Sequence, residues 1–533
     1  MSPPNRRPNA TLPLITLATI ILAAAGCFIV QRIAVNPVAV SSTDSVRVKS
    51  AVKAHLLDGT TVTYPNGVEL VHGMLRGAGR RYDLALRELP SVSVIPLDSV
   101  LGMESYSTVI DGGATAGYSI LATAGVIVVA AGVAIAAIAI QCAHDPKCFG
   151  SCPTFYSDSA GTFRLEAEGF SYSIASLFEA RDVDRLRTTA RPDGSVRLEV
   201  RNEAYETHYL NHLELLEVRH AADEFVLPDA RGRSVAVRNL RPATRGVDRA
   251  GHDVADLLAT ADGRVTRTDS ALLARADASD FEDHIDMTFP VPRGVDSVAL
   301  VLRLRNSLLN TVLLYDIVLG DRGARSLDWL GQTTQQVGPA LALGQWYAGK
   351  MGLRVLVLEG DSAREIAHIR DTGPVAWKDI AVVLPAPHQD SLRLRLSYVA
   401  DNWRIDRAAL GSARIPAVRA WPLAEVIGAD DRTDTTALRS LSAPDAQYLV
   451  TSPAQRFTAV WRPTPTKSGE ARTFLLASQG YYTEWIRQGW LAAPRDTLPF
   501  RPSNAVLANA VQRWRVEQDS LEVKFNRTRV PVR

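Results

Sequence analysis

Apolar and polar residues alternate along much of this chain. Val196-Arg-Leu-Glu-Val-Arg201 keeps a strict period of two, and Leu392-Arg-Leu-Arg-Leu-Ser-Tyr-Val399 follows it closely. Val298-Ala-Leu-Val-Leu-Arg-Leu-Arg305 starts apolar and then alternates. Successive strand residues point to opposite faces, so each run predicts a strand with one apolar face and one solvated, arginine-bearing face. Turn signals at Asp193-Gly194, Asp262-Gly263 and Pro292-Arg-Gly294 separate such runs, which predicts antiparallel β-sandwich. Residues 45–105 carry shorter strands around Asp58-Gly59 and Asn66-Gly67, a small β-barrel-like unit of SH3 type or an open meander. Helical composition is confined to Leu327–Met351, where Gly338-Pro339 should break or kink the helix, and to a short piece at Asn504–Val516. The charged tail after Pro502 reads as peripheral.

Two stretches depart from alternation. Leu12–Val30 is continuously apolar and follows a start that carries Arg6 and Arg7 and no acid, the layout of a secretory signal. Within it Leu22-Ala-Ala-Ala-Gly-Cys27 resembles a lipoprotein signal, with Cys27 as lipidation candidate. The other reading is an uncleaved 19-residue anchor. Ser119–Ile140 holds ten Ile, Leu or Val residues, eight Ala and no charge, the profile of a transmembrane helix; a buried helix is the alternative. Gly113, Gly117, Gly125 and Gly132 would let helices approach closely there. No Lys or Arg occurs between Arg87 and Lys147, so charge bias does not orient this segment.

The expected organisation is therefore mainly β: a signal or anchor (1–31), a small β domain (45–105), a hydrophobic helix (112–141), a β-sandwich (142–325), a helical connection (326–351), a jelly-roll-like domain (352–415), a C-terminal β region (416–500) and a peripheral tail (501–533). A length of 533 residues accommodates several such domains. The net charge of +2 carries no electrostatic footprint for nucleic acid. Only seven of the 59 basic residues are Lys. The four cysteines are Cys27, Cys142, Cys148 and Cys152. The last three are disulfide candidates; a zinc site with His144 and free thiols are the alternatives. The 381 residues after Cys152 contain no cysteine and must be held by core packing.

Cys152-Pro-Thr-Phe-Tyr, the stretch Asn202-Glu-Ala-Tyr-Glu-Thr-His-Tyr-Leu-Asn-His-Leu-Glu-Leu215, Arg303–Asp316 and Thr473–Tyr482 together resemble uncharacterised bacterial membrane or lipoprotein-like envelope proteins, in which a hydrophobic stretch runs into a Cys-Pro segment and then long β-rich sequence. The likeness covers roughly 150–490 and implies location, not activity. Trp377-Lys-Asp-Ile-Ala-Val-Val-Leu-Pro385 and Asp401-Asn-Trp-Arg-Ile-Asp406 are similar to strands of galactose-binding-like jelly rolls. Those domains often bind sugars, yet a fold does not fix function.

The densest polar group is Asp277, Asp280, Glu282, Asp283, His284 and Asp286. Its oxygens could hold calcium, but no glycine opens the tight turn of an EF-hand loop, and a solvated loop before the strand Met287-Thr-Phe accounts for it. Glu206, His208, His212 and Glu214 fall at even spacing, which on a regular strand puts them on one face with a metal site imaginable. His220 and Glu217 lie nearby, and His252 with Asp253 and Asp256 is a similar set. There is no G-x-S-x-G elbow, Walker loop, HExxH or G-x-G-x-x-G, so no catalytic residue, metal ligand or cofactor is assigned. Trp403, Tyr481, Tyr482 and Trp485 are possible ligand-contact aromatics, suited to sugar stacking or protein contact. The sequence thus reads as a membrane-anchored protein of the bacterial cell envelope, its large portion outside the cytoplasm. It would bind or scaffold glycan or other envelope proteins, with no nucleic acid; a carbohydrate-active hydrolase is the alternative.

Overall fold

In a computed structural model of the chain, the described residues are 31–38, 46–48, 51–82 apart from 57 and 59, 88–110, 152–313 apart from 160, 175–177 and 205, 317, 337–484 apart from 466–469, 502–527 and 532. Both long apolar segments lie outside them, as do Cys27, Cys142, Cys148 and Trp485. No helix among the described residues is long and apolar enough to cross a membrane. The fold is mainly β, as the alternation predicts, with few helices.

The N-terminal unit is one antiparallel sheet of β1 (Gln31–Val38), β2 (Val46–Val48), β3 (Ala51–Leu56), β4 (Thr61–Tyr64), β5 (Val68–Val71), β6 (Met74–Tyr82), β7 (Glu88–Pro96) and β8 (Val100–Ile110). The stretch 46–56 pairs with β5 at its start and with β4 and β8 at its end, so the sheet curls round Val52, Val62, Tyr64, Leu70, Leu75 and Met103. Gly79 makes the curl possible on β6. A Cβ there would stand 2.7 Å from Val62 and 2.8 Å from the Tyr64 ring.

The remaining strands form four sheets. The first is β10 (Thr162–Glu168), β9 (Thr154–Ser159), β12 (Val196–Arg201), β27 (Arg456–Trp461) and β25 (Glu425–Ile427). The second is β11 (Ala180–Arg185), β28 (Ala471–Glu484), β13 (Glu206–His220) and β24 (Val418–Pro422), with β26 (Leu449–Thr451) added to β13. Together they enclose one core, in which Phe155, Leu198, Leu213, Leu215, Trp461 and Leu476 interdigitate. We call this the host sandwich.

The third and fourth sheets hold only residues between β13 and β24. The third is β14 (Phe225–Pro228), β15 (Ser234–Pro242), β23 (Trp403–Arg414), β18 (Ser297–Asn306) and β21 (Lys378–Pro385). The fourth is β16 (Arg245–Asp248), β17 (Glu282–Pro290), β22 (Ser391–Val399), β19 (Leu353–Glu359) and β20 (Ser362–Ile369). They share a core of Ile285, Phe289, Leu300, Leu302, Leu394 and Trp403. This whole sandwich is an insertion. The chain leaves the host at the end of β13 and returns on β24, and those strands lie side by side, Val218 opposite Val418. The strand pairing therefore crosses the boundaries expected at 325, 351 and 415. β18 from one expected domain pairs with β21 and β23 of another. Alternation locates strands but carries no information on which distant strands pair.

The two sandwiches are stacked. The β14–β15 hairpin folds back until Asp229 bridges Ala381, enclosing Leu227, Val237, Ala299 and Val301. Its other face, Val226 and Ala236, meets Leu216, Val218, Leu475 and Ala477 of the second sheet. Of the helices, α1 (Ser270–Arg275), α2 (Val337–Met351) and α3 (Thr435–Leu441) are short to medium. Gly338-Pro339 lies within α2, and the residues that precede Val337 fall outside the described ones. α4 (Asn504–Arg527) overturns the expectation of a peripheral tail. Leu507, Val511, Trp514, Leu521 and Phe525 are buried against Leu273, Phe281, Leu309 and Val399 of the inserted unit. Charge on the outer side of this helix hides a stripe at helical spacing.

Candidate functional site

The acidic group singled out from sequence lies at the start of β17, with residues from 282 onward in regular strand. The expected solvated loop is therefore shorter than 277–286. Asp280, Glu282, Asp283 and His284 line a cleft of about 480 Å³ with Arg249, Lys350, Arg354 and Arg395. Three carboxylates of the acidic group are taken by guanidinium groups. Arg249 donates to Asp280 at 2.6 and 2.7 Å, Arg354 to Glu282, and Arg395 to Asp286 at 2.6 and 2.8 Å. The hydrogen bonds from Arg249 pull the Asp280 carboxyl below its ordinary range. Burial pushes Asp286 up, but the bonds and charge of Arg395 prevail and leave it low. Asp283 points inward on the alternating strand; burial raises it, and it accepts a 2.5 Å bond from Thr268. Burial and then the charge of Arg395 hold the His284 imidazole below its ordinary range. Asp277 caps its own turn, accepting from the Ser279 amide at 2.7 Å. Among the described residues no set of three His, Cys, Asp or Glu side chains could hold a metal ion.

The even-spaced set on β13 is divided by a bulge. Pairing with β28 slips between Leu210 and His212, and an extra residue reverses which face later residues take. Leu210 accordingly shares the host core with Leu213 and Leu215, not with Leu216. Glu206 and His208 are buried, with His208 Nε2 3.1 Å from Glu206 Oε2, while His212 and Glu214 fall on the other side. The single strand face read from spacing does not exist. Asn211 fixes the bulge: its amide donates to Glu179 at 2.6 Å and to the Asp445 carbonyl at 3.0 Å, and accepts from the Asp445 amide at 3.0 Å. His220 contacts Thr473 at 2.9 Å, Glu217 accepts from Trp421 at 2.8 Å, and His252 stands 3.0 Å from Asp248. None of these pairs converges with another.

The described aromatics of the ligand-contact group are internal. Trp403 is 1% exposed in the inserted core. Tyr481 stacks on Tyr209 with ring centroids 4.5 Å apart, and Tyr448 meets both edge-on. Tyr482 donates to the Ser171 carbonyl at 3.0 Å. A buried aromatic packs; it does not offer its face to a sugar. Cys152 is a buried free thiol. Burial, and then the charges of Glu168, Glu206 and Asp371, hold that thiol well above its ordinary range, the opposite of a reactive thiolate.

Sequence reasoning missed a buried ionic cluster between the two sandwiches. Lys378, at the start of β21 in the inserted unit, reaches Asp182 and Asp184 on β11 of the host. Its Nζ contacts Asp182 Oδ1 directly and lies 3.0 Å from Asp184 Oδ1. All three residues are less than a tenth exposed. Asp182 Oδ2 accepts the Phe170 amide at 3.2 Å. Burial and the neighbouring Asp182 charge lift Asp184 to about 7 despite the opposing pull of Lys378. Burial works to discharge Lys378, but the two carboxylates outweigh it and hold the ammonium well above its ordinary range. The available signal was Asp-Val-Asp at 182–184, whose alternation puts two acids on one side, and a lysine in a chain that otherwise uses arginine.

No family model matches this chain, and no curated protein matches it. Among solved structures, an allantoicase aligns over 49% of this chain and 91% of its own at 10% identity, with a TM-score of 0.18. A cycloalternan-forming enzyme from Listeria monocytogenes aligns over 65% of this chain and 31% of its own at 9% identity and TM-score 0.16. A GH31 alpha-xylosidase from Xanthomonas citri aligns over 83% and 38% at 9% identity and TM-score 0.15.

Proposed function

We propose that this chain is a membrane-anchored protein of the bacterial cell envelope. Its stacked sandwiches act as a binding or scaffolding body outside the cytoplasm, with glycan or other envelope proteins as partners. The observation that carries this reading is the use made of charge. Arg249–Asp280, Arg354–Glu282, Arg395–Asp286 and Lys378–Asp182 each tie one element to another. A hydrolase would need two carboxyl groups facing each other across an open cleft, one kept protonated. On β17, Glu282 and Asp286 are instead paired with guanidinium groups and Asp283 is turned inward onto Thr268, so the binding reading is preferred. The first apolar segment with its basic start supports anchoring.

The test is an epitope tag after Arg533, with protease added to intact cells and to spheroplasts. Digestion of the large portion from outside is the expected result. Protection that ends only on lysis would place residues 142–533 in the cytoplasm and overturn the proposal.

A further inference from the structure

We propose that Lys378 and Asp182 form an intramolecular isopeptide bond, with Asp184 as the proton carrier, that joins the inserted sandwich covalently to its host. Four groups at this seam take the places such a condensation needs. Lys378 Nζ is the nucleophile, in direct contact with the Asp182 carboxyl. Asp182 Cγ is the electrophile, and its Oδ2 already accepts the Phe170 amide at 3.2 Å, where charge would build in the tetrahedral intermediate. Asp184 Oδ1 stands 3.0 Å from the same nitrogen. Little of the cluster meets solvent: Lys378 and Asp182 are each 8% exposed and Asp184 5%.

The step balances without an oxidant, reductant or cofactor. The ammonium passes a proton to Asp184, and the freed amine attacks Cγ. A Cγ–Nζ bond forms and the Cγ–Oδ1 bond breaks. Oδ1 leaves as water, carrying two of the three protons that began on Nζ, the Asp184 carboxyl relaying them and returning to its starting state. The third proton stays on the amide nitrogen. Asp184, lifted to about 7, exchanges its proton near neutrality and suits the relay. Lys378 is held charged by the same carboxylates, which is why a second acid beside the nitrogen is required. Burying an ion pair carries a desolvation penalty that Coulomb attraction offsets only in part. A neutral amide removes that penalty, so the enclosed site favours the product. The two residues are 196 positions apart, and the link would close a loop containing seven of the ten inserted strands, β14 to β20.

Tryptic peptide mass spectrometry on the purified full-length chain tests this. An unlinked chain releases residues 182–185 and 371–378 as separate peptides. A linked Lys378 resists trypsin, so 182–185 should appear attached to 371–393, lighter by one water than the two peptides together. Lys378→Arg should release 182–185 as an ordinary peptide, and Asp184→Ala, which keeps both bonding partners, should do the same. Wild-type protein yielding only the separate peptides would overturn the bond. A branched peptide persisting in Asp184→Ala would overturn the role given to Asp184.

Discussion

Glu224 stands just before the first inserted strand and Arg414 ends the last one. The guanidinium donates to both carboxylate oxygens at 2.6 and 2.7 Å, closing the neck of the insertion. Those hydrogen bonds come first among the causes that pull Glu224 from 4.5 to about 2. A depressed carboxyl stabilises the fold fully above its unfolded value and loses that contribution as pH falls through the folded one. The neck should therefore weaken between pH 4.5 and about 2. Arg414 is half exposed, which tempers the size through solvent screening. Glu224→Gln should cost roughly 1–2 kcal/mol near neutrality and flatten the acid limb, measured by urea unfolding across that range. Asn211 gives a second residue-scale expectation. Asn211→Ala strips three hydrogen bonds from the β13 bulge, one to a carboxylate, and should cost about 2–3 kcal/mol by thermal unfolding; an unchanged midpoint would mean that the bulge is fixed by pairing alone.

Among the elements, α4 has the largest unanticipated role. It covers the end of the inserted unit, and Trp514 donates to Asp401 at 2.7 Å while its ring is fully buried. Trp514→Ala should cost roughly 3–5 kcal/mol, read as a lowered denaturation midpoint with an unchanged far-ultraviolet spectrum below it. An effect under about 1 kcal/mol would show that the helix is only loosely attached. The same element shows what was legible. Leu507, Val511, Trp514, Leu521 and Phe525 form a readable stripe, but the sequence does not say what it packs against. Strands with clean alternation, such as β12 and β22, stand out because burial imposes period two. The β13 bulge is invisible in the chain alone, since reversal of face depends on register with β28. Candidate chemistry read from spacing fails there for that reason, and along β17 because the neutralising arginines come from remote positions. For the Lys378 cluster the rare lysine and Asp-Val-Asp stand out separately, but their meeting is hidden because the carboxylates are 194 and 196 residues away.

At the scale of the whole molecule, one sandwich is nested in another. Because Val218 and Val418 are opposite one another, residues 222–416 could be replaced by a short Gly-Asn turn without moving the host strands. The shortened chain should keep a β-type circular dichroism spectrum and unfold cooperatively, with reduced solubility because Leu216, Val218, Leu475 and Ala477 lose their cover. Loss of the cooperative transition would show that the host depends on its insert. Nesting also sets a schedule during synthesis. β13 emerges from the ribosome long before its partner β28 exists, with β14 to β27 made in between. From His220 to Ala471 is 251 residues, on the order of 10–50 s of translation. Throughout that wait the first half of the host exposes apolar faces and unpaired edges. The nascent chain should then be a client of ribosome-associated or export chaperones until β28 arrives, while most of the insert is already able to fold.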